Sequence, residues 1–281
     1  MYAQTGNVEN KGFELSIGYD KTWRDFAWSS SLTLSHNKNK VVELMNNYYD
    51  PQTDKYYTLK EYEVASMGGA NFIMTEGGTM GDLYAYGDLW LDENGYIYIN
   101  PNDPKLMVTD ERIKLGSVLP DYNAGFRNDF SYKGINLSLL FSARFGGIVV
   151  SPTQGFLDGL GVSKASADAR DAGGVPINNG RIDAQHYYET VGLGQLLSHY
   201  TYSATNVRLQ ETSIGYTFPK KWMGDRVKLT ASLVGRNLWM IYCKAPFDPE
   251  LTASTGSYLQ GIDYFMQPSL RSLGFNVQLK F

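Results

Sequence analysis

The sequence predicts an all-β chain whose antiparallel strands are long enough to cross a membrane as part of a barrel wall. Three observations carry this. Apolar and polar residues alternate with a period of two over many segments, the pattern of strands with one apolar face. Several segments exceed the roughly 9–11 residues that a tilted strand needs to cross a bilayer, whereas strands of water-soluble domains run about 5–6. Short and long connections also alternate along the chain, as in barrels with short turns at one rim and long loops at the other. A β-sandwich, the alternative for alternating strands, has no reason to keep that parity.

The elements follow in order. Phe13, Leu15, Ile17, Tyr19 and Trp23 alternate with Glu14, Ser16, Gly18, Asp20 and Thr22. After a tight turn at Arg24–Asp25, Phe26, Trp28, Leu32 and Leu34 alternate with Ala27, Ser29, Ser31, Thr33 and Ser35. Weaker strands are expected near Leu59–Thr75 and Gly81–Leu91, with a short turn at Glu76–Met80 between them. Tyr122, Ala124, Phe126, Phe130 and Tyr132 form the next apolar face, and a Lys133–Gly134 turn leads to Ile135, Leu137, Leu139, Phe141, Ala143 and Phe145. Over Thr205–Phe218 the apolar phase shifts between Leu209 and Ile214, which predicts a bulge or a rim crossing. Val227, Leu229, Ala231 and Leu233 mark another strand after the Pro219–Asp225 turn. The last strand sets Leu273, Phe275, Val277, Leu279 and Phe281 against Gly274, Asn276, Gln278 and Lys280. Alternation up to a final Phe is typical of the assembly signal of bacterial outer-membrane barrels. Aromatics gather at strand ends, as in the girdles at membrane interfaces.

Composition bounds the function. The 281 residues are 43% hydrophobic and 19% charged, which argues for a folded chain. A net charge of −4 argues against a nucleic-acid partner. The lone Cys243 excludes a disulfide framework or a cysteine-rich zinc site. Mean hydropathy is −0.32, and no apolar run is long enough for a transmembrane helix. Neither fact argues against a barrel, whose polar inner face offsets the lipid-facing one. Met1–Asn10 is polar and lacks the basic and apolar regions of a signal peptide, so the chain reads as soluble or as a piece of a longer protein. His36, His186 and His199 have no metal-ligand spacing, and no nucleophile elbow, phosphate loop or dinucleotide fingerprint occurs. An enzyme is not expected, and neither is a cofactor.

Five stretches, in order, resemble the C-terminal part of SusC/RagA-type TonB-linked outer-membrane transporters of Bacteroidetes. They are Asn10–Tyr19 (NKGFELSIGY), Gly81–Tyr86 (GDLYAY), Pro120–Gly147, Asn206–Lys221 (NVRLQETSIGYTFPKK), and Val227–Tyr242 with Phe247–Glu250 (FDPE). One departure is Leu91–Asp103, where only Asp92, Asn94 and Gly95 fit the family's Asp/Asn-rich segment. A plain Asn-Gly turn is expected there, not a calcium loop. The resemblance implies a barrel of about 22 strands, of which this chain, as a single unit over 1–281, supplies about nine. It places long extracellular loops near 45–60, 92–120, 148–204 and 242–268, and leaves the plug domain outside the chain. The implied function is TonB-dependent import of a nutrient, in the first place an oligosaccharide, with a peptide as the other substrate class. The implied partners are a SusD-like surface lipoprotein acting as a lid, TonB through a segment that this chain lacks, the barrel-assembly machinery and outer-membrane lipid. The implied location is the outer membrane of a Gram-negative cell. Two alternatives are a self-contained small outer-membrane porin or adhesin, and a soluble carbohydrate-binding β-sandwich.

Candidate site residues fall in two groups. Arg127, Asp129, Arg144 and Arg236 alternate away from the apolar face and are candidates for lining the lumen or holding a plug. Tyr48, Tyr49, Tyr56, Tyr57, Tyr187 and Tyr188 lie in predicted long loops, the last two between His186 and His199. Their rings could stack on sugars or anchor a lid, or they could pack against a neighbouring loop, which is the simpler reading for Tyr187 and Tyr188. The Ala-rich Val162–Ala172 is expected to form a short helix within the third long loop.

Overall fold

The computed structural model describes residues 6–223, 227–250, 253 and 258–280. Seven strands form one antiparallel sheet in sequence order: β1 (Asn7–Trp23), β2 (Phe26–Glu43), β3 (Tyr122–Tyr132), β4 (Ile135–Phe145), β5 (Asn206–Thr217), β6 (Lys228–Cys243) and β7 (Ser272–Lys280). Because every neighbour is antiparallel, the alternation of each strand adds up to rows that run across the sheet wherever the register is unbroken. One row reads Lys21, Trp28, Phe130, Leu137, Ile214, Leu233 and Phe275. The next reads Tyr19, Ser30, Asn128, Leu139, Thr212, Gly235 and Leu273. These rows face outward without cover: Leu273 is 84% exposed and Leu233 61%. Phe281, the last residue of the terminal pattern, lies outside the described residues.

Aromatic rings border this apolar face at both rims. At the short-turn rim, Trp23, Phe26, Tyr132, Ile135 and Tyr216 share a row, and the Trp23 and Phe26 rings stack at 6.0 Å. At the other rim, Phe13, His36, Tyr122 and Phe145 share a row, and His36 stacks on Tyr122 at 4.7 Å. From Phe13 to Trp23, steps of about 3.3 Å per residue tilted by about 40° give a band about 25 Å high. That is the height of the outward-facing apolar band of transmembrane β-barrels, about 25 Å. The one amide inside the band, Asn128, is buried and accepts a hydrogen bond from Trp28 Nε1 at 3.1 Å. The ring thus shields the carbonyl from an apolar surround, where an unpaired polar group is costly.

The expected phase shift over Thr205–Phe218 is a bulge. Register breaks between Leu140 and Phe141 on β4, and Gln210 on β5 has no partner in the β5–β6 ladder. On β6, Asn237 takes the compensating positive φ of 52°, a conformation that Asn tolerates better than most residues.

Two of the strands counted toward the wall from the sequence fold elsewhere. The segments near Leu59–Thr75 and Gly81–Leu91 give Glu61–Met67, Ala70–Thr75 and Asp82–Tyr86, which with Arg112–Ser117 make a separate four-stranded sheet. They are five to seven residues long, too short to cross a bilayer, and Asp82–Ala85 is buried on both faces. The Glu76–Met80 turn therefore lies outside the wall. The wall's own connections are 24–25, 44–121, 133–134, 146–205, 218–227 and 244–271, and they still alternate short and long.

The three long connections fold together. Ala70, Phe72, Leu83 and Ala85 from 44–121 pack with Val150 and Leu197 from 146–205 and Ile262 from 244–271. A second cluster joins Leu89, Ile99 and Leu106 to Val191, Leu196 and Tyr200. The described hydrophobic core thus sits in the loops rather than the wall. The connection 146–205 carries helices α1 (Pro152–Gly159), α2 (Lys164–Asp171) and α3 (Ala184–Tyr188), capped by Ser151, Ser163 and Asp183. Helix α2 is the one expected in Val162–Ala172.

Candidate functional site: the polar face and the loop body

The face opposite the apolar rows is polar. Gly18, Ser31, Arg127, Leu140, Glu211, Arg236 and Ser272 form one row, and Asp20, Ser29, Asp129, Ser138 and Ser213 lie in the next. Arg127 holds Asp129 at 2.8 Å and Arg236 holds Glu211 at 2.8 Å, all four partly exposed. Such pairs contribute little to stability, about 0–1 kcal/mol. Their guanidinium and carboxylate groups therefore remain available to a ligand or to another part of the barrel. A shallow cavity of about 400 Å³ opens beside them, lined by Asp20, Arg127, Asp129, Asn136, Ser138 and Ser213.

Arg144 sits apart from the other three candidates. Its guanidinium donates from Nη2 to the Val118 carbonyl, so the chain's own loop engages it. It ties the wall to the cluster that contains Val118.

Arg208 is a buried loop tether that residue-by-residue reading missed. It is 3% exposed and pairs with Asp248 at 2.7 Å and with Glu250 at 3.3 Å. Two of the quoted stretches, NVRL and FDPE, thereby lock the connection 244–271 to strand β5. Burial pushes the Asp248 carboxyl upward, but hydrogen bonds from Arg208 and Ser269 outweigh it and hold the carboxyl below its ordinary value. Further along this connection, Ile262 bridges Val150, and buried Ser151 donates to Asp263 at 2.6 Å. The signal available in sequence was an Arg in one family-like stretch and two acids in another, but their contact is non-local.

The tyrosines divide. Tyr48 faces Tyr57 and Tyr49 faces Tyr56 across a hairpin of Met45–Asp50 and Lys55–Leu59. The Tyr49 and Tyr56 rings lie 5.2 Å apart, and Tyr56 is 66% exposed. This is a free aromatic surface. Tyr187, in contrast, packs against the second loop cluster, and burial raises its pKa to about 12. Tyr188 stands edge-on to it at 4.9 Å. Packing against neighbouring loop residues therefore describes Tyr187 well. His199 reaches Asp88 at 3.0 Å, a further link between two connections. In the Leu91–Asp103 stretch, Asp92 accepts the amides of Asn94 and Tyr96, both at 2.9 Å, and Gly95 has φ 81°. That is a side-chain-supported turn.

Comparison with known proteins agrees with this architecture. No family model matches the chain. It is 27% identical to the TonB-dependent receptor P3 of Formosa agariphila over 98% of its own length and 29% of that protein. It is also 27% identical to TonB-dependent receptor P26 of the same organism, over 97% of the chain and 29% of that protein. Among solved structures, a RagAB peptide importer in the closed-closed state matches with a TM-score of 0.68 at 18% identity, over 98% of this chain and 30% of that one. The open-open state matches at 0.66 and 19% identity, over 98% and 29%. The chain thus spans under a third of the length of the relatives it matches. Along nearly its whole length the chain is similar in sequence to TonB-dependent receptors and has the wall-and-loop fold of SusC/RagA-type TonB-linked outer-membrane transporters.

Proposed function

We propose that this chain supplies wall strands and surface loops to a TonB-dependent importer in the outer membrane. The observation that carries the reading is the sheet itself: a largely apolar face about 25 Å high between two aromatic rows, backed by a polar, charged face. The apolar face meets lipid. The polar face lines the lumen, where Arg127, Asp129, Glu211 and Arg236 contact cargo or hold a plug. The three fused connections form the extracellular rim, and the exposed Tyr49–Tyr56 hairpin meets substrate or a SusD-like lipoprotein lid. Energy for import reaches the barrel through TonB, and no bond of the substrate is made or broken.

For the cargo we propose an oligosaccharide, supported by exposed tyrosines that offer flat apolar faces beside hydroxyls. A peptide is the second reading, favoured by the likeness to RagAB peptide importers. Deleting the gene for the complete protein and measuring growth on oligosaccharides or on peptides as sole carbon source tests both. The expected result is lost growth on an oligosaccharide, restored by the intact gene, with growth on the free monosaccharide unchanged. Loss on peptides alone would replace the first cargo with the second, and unimpaired growth on both would refute the import reading.

A further inference from the structure

Strands β1 and β2 continue past the long-loop aromatic row of the wall. From the level of Phe13 and His36 they run on as a two-stranded flap to Asn7 and Glu43, whereas β3 begins at Tyr122, in the row itself. The two faces of this flap differ. On the inner face, Asn10 Oδ1 accepts from Asn37 Nδ2 at 3.2 Å and from Asn39 Nδ2 at 3.0 Å, and Asn39 Oδ1 accepts from the Met80 amide at 2.8 Å. These amides hold the loop body.

The outer face carries cations instead. Lys38 stands directly opposite Lys11, and Lys40 opposite Glu9. Alternation puts all four on the side of Phe13 and His36, two and four residues higher. At about 3.3 Å per residue and a tilt of about 40°, their backbone lies about 5 and about 10 Å above the aromatic row, at the depth of lipid headgroups. Lys11 pairs with Glu9, and Glu43 stands one level further up, opposite Asn7. Lys38 and Lys40 are exposed and make no ion pair or ring contact among the described residues. The lysines of the opposite rim differ. Lys21 lies over the Trp23 ring, and Lys133 lies over Tyr132 and 3.9 Å from Asp25. Like charges directly opposite in a sheet are destabilising, so Lys11 and Lys38 stand face to face at a cost that a bound anion removes.

We propose that Lys11, Lys38 and Lys40 hold the phosphate headgroup of a lipid in the outer leaflet, whose chains run down over Phe13, Leu15 and Leu34. Ammonium groups bind phosphate as point charges, without the fixed fork that Arg imposes, which suits a headgroup that moves with its bilayer. Basic residues just outside the apolar band attract anionic lipid. The exposed Phe13 and Leu15 immediately below favour an anion that carries acyl chains over a free one. The site rests on the reading of the apolar rows as lipid-facing.

The test is native mass spectrometry of the complete detergent-solubilised transporter titrated with monophosphoryl lipid A, with the same lipid after phosphate removal, and with inorganic phosphate. The phosphorylated lipid should bind, and Lys38→Gln/Lys40→Gln should weaken it about 25-fold, at about fivefold per lysine. Glu9→Gln, which frees Lys11, should tighten it about fivefold. Lys60→Gln/Lys164→Gln, the same charge change on the loop body, should leave it unchanged, and so should inorganic phosphate at equal concentration. Phosphate-free lipid bound as tightly as the phosphorylated form, binding unchanged in both Lys38→Gln/Lys40→Gln and Glu9→Gln, or displacement by inorganic phosphate at equal concentration would overturn the site and leave the wall in its membrane. A complete protein that stays in solution without detergent would overturn the lipid-facing reading and the site with it.

Discussion

A lysine placed at Leu139 should destabilise the barrel far more than one placed at Val277, although both face the same side. The reason is depth. Ile135 lies in the short-turn aromatic row, and Leu139 is four residues above it on β4. At about 3.3 Å per residue and a tilt of about 40°, Leu139 stands about 10 Å above that row, within a few ångströms of the middle of a band about 25 Å high. Val277 shares the aromatic row itself with Ala231 and Tyr216. Charge at the midplane costs about 2–4 kcal/mol and at the interface about 0–1. Ser138→Lys, one residue away on the polar face and across from Asp129, should be close to neutral. Reversible guanidinium unfolding of the complete protein from lipid vesicles measures all three. Equal costs at positions 138 and 139 would refute the facing assignment, and a cost at 277 matching that at 139 would refute the depth assignment.

Three further outcomes are expected. Trp28→Phe should cost about 1–3 kcal/mol by leaving the buried Asn128 carbonyl unpaired, and adding Asn128→Leu should recover most of it; additive losses in the double mutant would count against a hydrogen-bonded pair. Arg208→Ala should free the connection 244–271 at a cost of about 3–5 kcal/mol, seen as new protease cleavage within it, since it strands two acids beside the vacated site. The Asp248 carboxyl is depressed in the folded state, so its contribution is full above the ordinary carboxylate range and fades as pH falls through its folded value. Cleavage of the parent protein should therefore begin only in acid, and Arg208→Met should lose that acid threshold. Gly192→Ala should open the contact between α1 and the π-helical turn Glu189–Leu193, with a cost of about 1–3 kcal/mol read as proteolysis of 146–205 while the wall stays intact.

The wall was legible in the sequence because its code is local. A period of two in β1, β3 and β4 assigns every side chain to a face, and register then follows from tight turns at Arg24–Asp25 and Lys133–Gly134. The bulge at Gln210 was legible as a broken phase. The strands Ala70–Thr75 and Asp82–Tyr86 were seen but placed in the wrong sheet, because a short apolar run reads alike in a wall or in a core. The loop core was not legible. Phe72, Leu197 and Ile262 are brought together from three connections, and no local pattern announces such a meeting. For the same reason Arg208 looked like one polar strand residue among others until Asp248 and Glu250 stood against it.

The shared loop core has a consequence for how this surface can change. Connections that each pack against the others cannot vary independently: shortening 244–271 withdraws Ile262 from a cluster built by the other two. Diversification should therefore concentrate in the protruding hairpin around Tyr49 and Tyr56 and at the outer faces of the helices, while the buried seams drift only by compensated exchange. A rim grafted from a relative onto this wall must accordingly be moved as all three connections at once, since any one alone arrives without the residues that the other two contribute to the shared core.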